Sequence, residues 1–309
     1  MILSVSRRTD IPAFYWKWFL NRIGEGFVDV RNPMNIHQVS RINIRPEVVD
    51  CIVFWTKNAE NIIPHLPQLN NYKYYFQYTI NPYNKLIEEK VPVKKDIIRS
   101  FKLLSDLIGP NRVVWRYDPI IITPDMDVDY HLHYFEELAK RLYKYTNKCV
   151  ISFVDLYKKT VSNTKSLMMR EPSEEEMHTL AKSLSSIAKH YQMEIQSCSE
   201  KENLDAEGIK HGCCIDRDLI EKTIGYKIEI KKDKNQRKEC GCVESIDIGA
   251  YNTCLHACRY CYANFNSAKV EVLSRLHNPD STMLIGELNE KDIVKERKVK
   301  LLKTDALIY

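Results

Sequence analysis

What this sequence lacks narrows it first. No stretch approaches the roughly 18 consecutive apolar residues that a membrane-spanning helix needs. The opening MILSVSRRTD reaches charge at Arg7, too soon for the apolar core of a secretory signal peptide. Glycine is scarce, at 9 residues in 309, and no G-x-G-x-x-G turn of a dinucleotide-binding unit follows any predicted strand. There is no internal repeat. Charge of neither sign dominates: 46 Lys and Arg face 41 Asp and Glu, for a net +5, so no polyanion partner follows from charge. A basic stripe interleaved with aromatics is also missing, so nucleic acid is not indicated. The expectation is a cytoplasmic protein without a membrane anchor, long enough to bury a full core.

Short β-branched or aromatic runs alternate with helical patterns, the signature of a parallel sheet wrapped by helices. Strands are predicted at Ile2–Val5, Cys51–Trp55, Tyr74–Tyr78, Val113–Trp115, Val150–Val154, Glu194–Ser197 and Ser245–Ile248. Helices are predicted at Pro12–Arg22, Asp96–Ile108, Tyr130–Tyr145 and Glu174–His190, the last opened by a Ser173 cap and an acidic first turn. Phe27–Val30 reads as a further strand or a hairpin. Seven strands with intervening helices suit a β/α barrel, complete or partial and TIM-like, better than an open doubly wound sheet. The expected organisation is a barrel body over 1–230, a final strand and cysteine loop over 231–270, and a charged C-terminal extension over 271–309.

In such a barrel the site is built from strand C-termini. Those positions carry Arg7, Arg8 and Asp10, then Trp55, Lys57 and Asn58, then Gln77 and Asn81, then Arg116 and Asp118, then Asp155, then Cys198 and Glu200. Guanidinium forks suit carboxylate or phosphate groups. Arg116, Asp118 and Asp155 are the candidate catalytic residues. Arg7, Arg8, Lys57, Gln77 and Tyr260 are candidates for cofactor binding. A barrel hydrolase using Asp118, Asp155 and Glu200 is a third reading, but it leaves the thiols without a role.

Cysteine is what the chain has in excess. Eight of its 10 cysteines lie beyond residue 197, and in a reducing compartment such a cluster reads as metal binding or catalysis rather than a disulfide frame. Cys51 and Cys149 sit in apolar runs as core residues. Cys254, Cys258 and Cys261, in TCLHACRYCYAN, have C-x3-C-x2-C spacing. Three such thiolates can each hold one iron of a [4Fe–4S] cube, leaving the fourth iron open. S-adenosylmethionine can chelate that iron and, on reduction, release a radical that abstracts hydrogen. A structural zinc completed by Cys240, Cys242 or His256, or an electron-transfer cluster with a fourth cysteine, are the blander alternatives. Four of Cys198, Cys213, Cys214, Cys240 and Cys242 can complete a second [4Fe–4S] cluster or a zinc site.

The cysteine spacing, with Tyr260 before and Tyr262 after the last thiol, resembles the cluster loop of the radical S-adenosylmethionine superfamily. There the loop follows the first strand. Here it follows the last predicted one, and pairing of Ser245–Ile248 beside Ile2–Val5 would reconcile the two as a circular permutation. The phrases SVSRRTDIPAFY, VRNPMN, VSRI, FWTKN, WRYDPI, KKDKNQR, CGCVESIDIGAYNTC and CRYCYAN resemble the domain of unknown function 1848 family over nearly the whole chain. That resemblance favours Cys214 over Cys213 as a ligand and implies a cluster, but no substrate. The function expected is radical chemistry on a small molecule or modified substrate, with a flavodoxin or ferredoxin as electron donor. The alternative is a non-catalytic iron–sulfur or zinc protein for electron transfer or redox sensing.

Overall fold

The structure, a computed structural model, describes residues 1–156 and 161–307, so the last two residues of the expected C-terminal extension lie outside the described residues. Along the chain run β1 (Ile2–Val5), α1 (Ile11–Phe14), α2 (Trp16–Glu25), β2 (Phe27–Asn32), β3 (Asn35–Asn43), β4 (Cys51–Thr56), β5 (Tyr74–Thr79) and α3 (Lys94–Ile108). Then come β6 (Val113–Ile120), α4 (Val128–Leu142), β7 (Lys148–Phe153), α5 (Val161–Thr164), α6 (Glu174–His190), β8 (Glu194–Cys198) and β9 (Lys210–Gly212). The chain closes with α7 (Arg217–Ile224), β10 (Tyr226–Ile228), β11 (Ile246–Asp247), α8 (Ser267–Arg275), β12 (Ile293–Glu296) and β13 (Lys303–Leu307).

Eight of the strands form one parallel sheet in the order β11-β1-β4-β5-β6-β7-β8-β9. The barrel expectation is thereby corrected: the sheet is open, and among the described residues its edges β9 and β11 do not pair. The edge strands are too short to close it, at 3 and 2 residues. The gap between them holds the segment before β11, which joins the β9 side through scattered bonds, Val243 N–H to the Ile215 carbonyl at 3.1 Å and His211 Nε2 to the Glu239 carbonyl among them, rather than through a ladder. Sequence periodicity finds the strands but carries no record of whether the two ends of a sheet meet.

The sheet is apolar on both faces, as a covered parallel sheet must be. Leu3, Phe54, Phe76, Trp115 and Ile151 pack in one core with Phe19 of α2, Phe101 of α3, Phe135 of α4 and Leu184 of α6. The alternate residues Ile2, Val53, Tyr75, Val114 and Val150 pack in a second core with Ile220 and Ile224 of α7 and with Leu302. The expected helix from Pro12 is broken at Tyr15 into α1 and α2, and Asp10 caps α1 by accepting from the Ala13 amide. Ser173 and Glu176 form a reciprocal capping box on α6. β2 and β3 make an antiparallel hairpin, and the tail adds β12 to β3 and β13 to β10.

The strand before the cysteine loop, β11, does lie against the first, with Leu3 opposite Ile246 and Ser4 opposite Asp247. Since β11 is so short, side-chain bonds hold this edge. The Asp247 carboxylate accepts from Ser4 Oγ at 2.8 Å, Ser6 Oγ at 2.6 Å, the Arg7 amide at 2.8 Å and the Gly249 amide at 3.0 Å. Replacing Asp247 by Ala strands several buried donors at once. The expected loss is about 3 kcal/mol, as each unsatisfied buried donor costs about 1–3 kcal/mol; urea unfolding of wild type and Asp247→Ala measures it.

Candidate functional site

β11 delivers the cysteine loop to the C-terminal edge of the sheet. Gly249 makes the close approach possible, because a Cβ there would stand 2.0 Å from Ser6 Oγ. The loop turns through Asn252 and Ala257, both left-handed, with φ of 56° and 53°. Asn252 clamps its two ends: its amide donates to the Ala263 carbonyl at 2.8 Å, and its Oδ1 accepts from the Phe265 amide at 3.0 Å. Tyr15 Oη donates to the Thr253 carbonyl at 2.5 Å. From the far side, Lys90 N–H reaches the His256 carbonyl and Arg259 N–H the Ile87 carbonyl, each at 3.0 Å.

Cys254, Cys258 and Cys261 line one cavity of roughly 130 Å³ with Arg7, Arg8, Asp10, Lys57 and Tyr260. Burial pushes Cys254 up to about 12 and raises Cys258 and Cys261 as well. His256 is buried inside the loop, where its Nε2 shares a hydrogen bond of 2.8 Å with Asp10 Oδ2. That same oxygen accepts from the Lys57 amide at 2.7 Å and Thr56 Oγ1 at 3.1 Å. Three residues on this cavity, Thr9, Trp55 and His256, each carry a buried polar atom (Oγ1, Nε1 and Nδ1) with no hydrogen-bond partner. Buried polar atoms are rarely left so, and here three belong to residues lining one cavity.

Behind the loop lies Glu88, which no sequence pattern singled out. Its carboxylate takes Lys57 Nζ at 2.8 Å, Lys94 Nζ at 2.5 Å and Tyr260 Oη at 2.6 Å. Burial by itself would raise Glu88, but Lys57 and Lys94 hold it down at about 2. Lys57 and Tyr260 are thus fixed at the cavity wall through a third residue.

Other predicted residues gather at a second place. Arg116 pairs with Asp118, stacks over Trp55 at 5.3 Å and donates from Nη1 to Cys214 Sγ at 2.8 Å and to Gln77 Oε1 at 3.3 Å. Gln77 Nε2 and Tyr75 Oη both donate to the Cys214 carbonyl, at 2.8 and 2.7 Å. Gln77, Arg116 and Asp118 therefore border the thiols of Cys198 and Cys214 and do not line the cavity of the loop. Asp155 lies at the surface, paired with Arg237. Glu200 accepts from the Phe153 amide at 2.8 Å, and burial pushes it up to about 8. Cys51 and Cys149 are core residues.

A groove of about 1050 Å³ adjoins the loop, walled by Met34, Tyr251, Tyr262, Leu284 and Lys269, and Arg8 lines both spaces. The Arg8 guanidinium lies 5.1 Å from the Tyr251 ring centre.

The Glu88 node sets a pH dependence. Its pKa falls on folding, so the stability it gives is present above the ordinary carboxylate range and is lost as pH drops from about 4.5 toward 2. Replacing Glu88 by Gln leaves two half-buried ammonium groups without their shared counter-ion and is expected to cost about 2–3 kcal/mol at pH 7. Wild type should lose its advantage over Glu88→Gln between pH 5 and pH 2, read by urea midpoints across that range.

Among the described residues no helix is long and apolar enough to cross a membrane, and no group of three or more His, Cys, Asp or Glu side chains is arranged as a metal-ion site. No curated protein and no solved structure matches the chain. The family described as Domain of unknown function (DUF1848) matches residues 2–263, a span that runs from β1 through the whole cysteine loop. The chain belongs to the DUF1848 family.

Proposed function

We propose that the protein is an iron–sulfur enzyme of the radical S-adenosylmethionine type. What carries this reading is that three loop thiols and three unpartnered buried polar atoms border one cavity at the C-terminal edge of the sheet. The donor set fits: soft thiols spaced to bind three corners of a cube, in a pocket whose remaining groups are polar. Cys254, Cys258 and Cys261 would hold a [4Fe–4S] cluster, with S-adenosylmethionine at the fourth iron. Together these cofactors supply reductive cleavage of the sulfonium C–S bond and hydrogen abstraction.

The chain's own residues do the positioning. Arg7 and Arg8 at the cavity wall suit the carboxylate of S-adenosylmethionine. Lys57, held by Glu88, places a fixed positive charge beside the thiols and favours their thiolate forms. The Asp10–His256 pair holds the inside of the loop rigid. The adjoining groove has apolar and aromatic walls with Arg8 and Lys269 among its residues. It suits a substrate with an apolar body and an anionic group, with a flavodoxin or ferredoxin delivering the electron.

Anaerobic purification, iron and sulfide counting, and EPR of the reduced protein test the reading. About four irons lost together in a Cys254→Ala, Cys258→Ala, Cys261→Ala triple variant, with a spectrum that shifts on adding S-adenosylmethionine, are expected. A loop cluster indifferent to S-adenosylmethionine would make the protein an electron carrier or redox sensor, and zinc at the loop would make the site structural.

A further inference from the structure

A second set of thiols converges in the gap where the open sheet fails to close. Cys198 ends β8, Cys214 lies two residues past β9, and Cys240 and Cys242 precede β11. All four are buried, at 9, 5, 6 and 1% exposure. The Sγ atoms of Cys198 and Cys214 are 2.8 Å apart, and Cys242 Sγ accepts from the Ile215 amide at 3.4 Å. Four buried thiols from three segments thus pack in one cluster, and none of the four is in a disulfide. Cys213 is half-buried and packs against the rim of this cluster.

Four thiols as neutral side chains gain only weak hydrogen bonds from such proximity. Yet a guanidinium is buried against them: Arg116 donates to Cys214 at 2.8 Å, an arrangement that stabilises sulfur as thiolate and recurs around metal-bound sulfur. Gly241 presses the Cys240-Gly-Cys242 turn onto the end of β9, since a Cβ there would stand 3.3 Å from the Gly212 carbonyl oxygen. Thiols at i and i+2 on so tight a turn are placed to share one ion.

From these contacts we infer that Cys198, Cys214, Cys240 and Cys242 form a closed tetrathiolate site for a single zinc ion, independent of the loop thiols. Compactness selects one ion over a cube. Thiolates around one zinc, each about 2.3 Å from it, stand roughly 3.8 Å apart, whereas cube ligands sit on different irons and are spread wider. In the structure the Cys198 and Cys214 sulfurs touch, and the four do not yet ring a centre. The Cys198–Cys214 pair must open by about 1 Å to admit the ion, well within the reach of a cysteine χ1 adjustment. Such a site ties the β8–β9 edge to the segment entering β11 and so fixes the strand that carries the cysteine loop. Arg116, Asp118 and Gln77 are then positioning residues around this zinc.

The test uses the full chain carrying Cys254→Ala, Cys258→Ala and Cys261→Ala, which lacks the loop thiols, so its result does not depend on the radical-enzyme reading. About one zinc per chain is expected. It should be lost on adding Cys214→Ala or Cys242→Ala and kept on adding Cys213→Ala. Should the first two variants not fold, thiol counting on the folded triple variant replaces them: the four thiols should react only once a strong chelator has removed the zinc, with a concurrent fall in Tm. Several irons with matching sulfide in the triple variant, or a folded triple variant with neither metal, would overturn the inference.

Discussion

The pairing of β11 with β1, held by the Asp247 carboxylate, is the constraint on which the rest depends. Two residues of ladder would be a marginal edge alone. The Asp247 carboxylate accepts from four donors, on β1, on the turn after it and on Gly249. That node brings residues more than 240 positions apart into one rigid corner. The cysteine loop leaves from this corner, and Asp10, Arg7 and Arg8 leave from the other side of it. If β11 shifted by one residue, Asp247 would turn to the opposite face and the loop would lose its anchor.

The same corner explains why so much charge is buried at one edge. Burying an ion is costly unless it is paired and hydrogen-bonded, and each buried ion here is. Glu88 sits between Lys57 and Lys94, and Asp118 is held by Arg116 and Ser152. Asn81 links the two systems, donating from Nδ2 to the Asp118 carbonyl at 2.8 Å and to Tyr260 Oη at 3.3 Å. The loop cavity and the second set of thiols are thereby two ends of one polar network along the strand termini. Its partners leave little freedom for any member to move independently.

Much of the secondary structure was legible in the residues. The β-branched and aromatic runs at Cys51 and Tyr74 read as buried strands, and the Ser173–Glu176 cap marks the start of α6 from sequence alone. β9 was not legible, since Lys210-His211-Gly212 carries no apolar pattern and is a strand only because β8 offers it an edge. The residues that hold the sites were legible unevenly for the same reason. Strand-end positions such as Arg7, Lys57 and Arg116 follow from local pattern. Glu88 lies in a polar stretch that looks like any solvent-exposed turn, and only the packing of the loop against it makes it a buried counter-ion. Asp155 shows the converse, a strand-end carboxylate that the fold leaves at the surface.

By itself the sequence determined the inner strands of the main sheet and its longer helices, and that the thiols cluster late in the chain, and it allowed the strand before the cysteine loop to pair beside the first. Those are local or pairwise properties, set by side-chain periodicity and spacing. Tertiary structure decided that the sheet stays open, because closure depends on whether two edges meet with free donors and acceptors in register. The division of the cysteines into three loop thiols and a second set was expected from spacing and resemblance, but tertiary structure decided where each set sits, three around a polar cavity and four beside the gap between β9 and β11. That placement follows from distances in space between residues up to 44 positions apart in the chain, such as Cys198 and Cys242, which no spacing along the chain encodes.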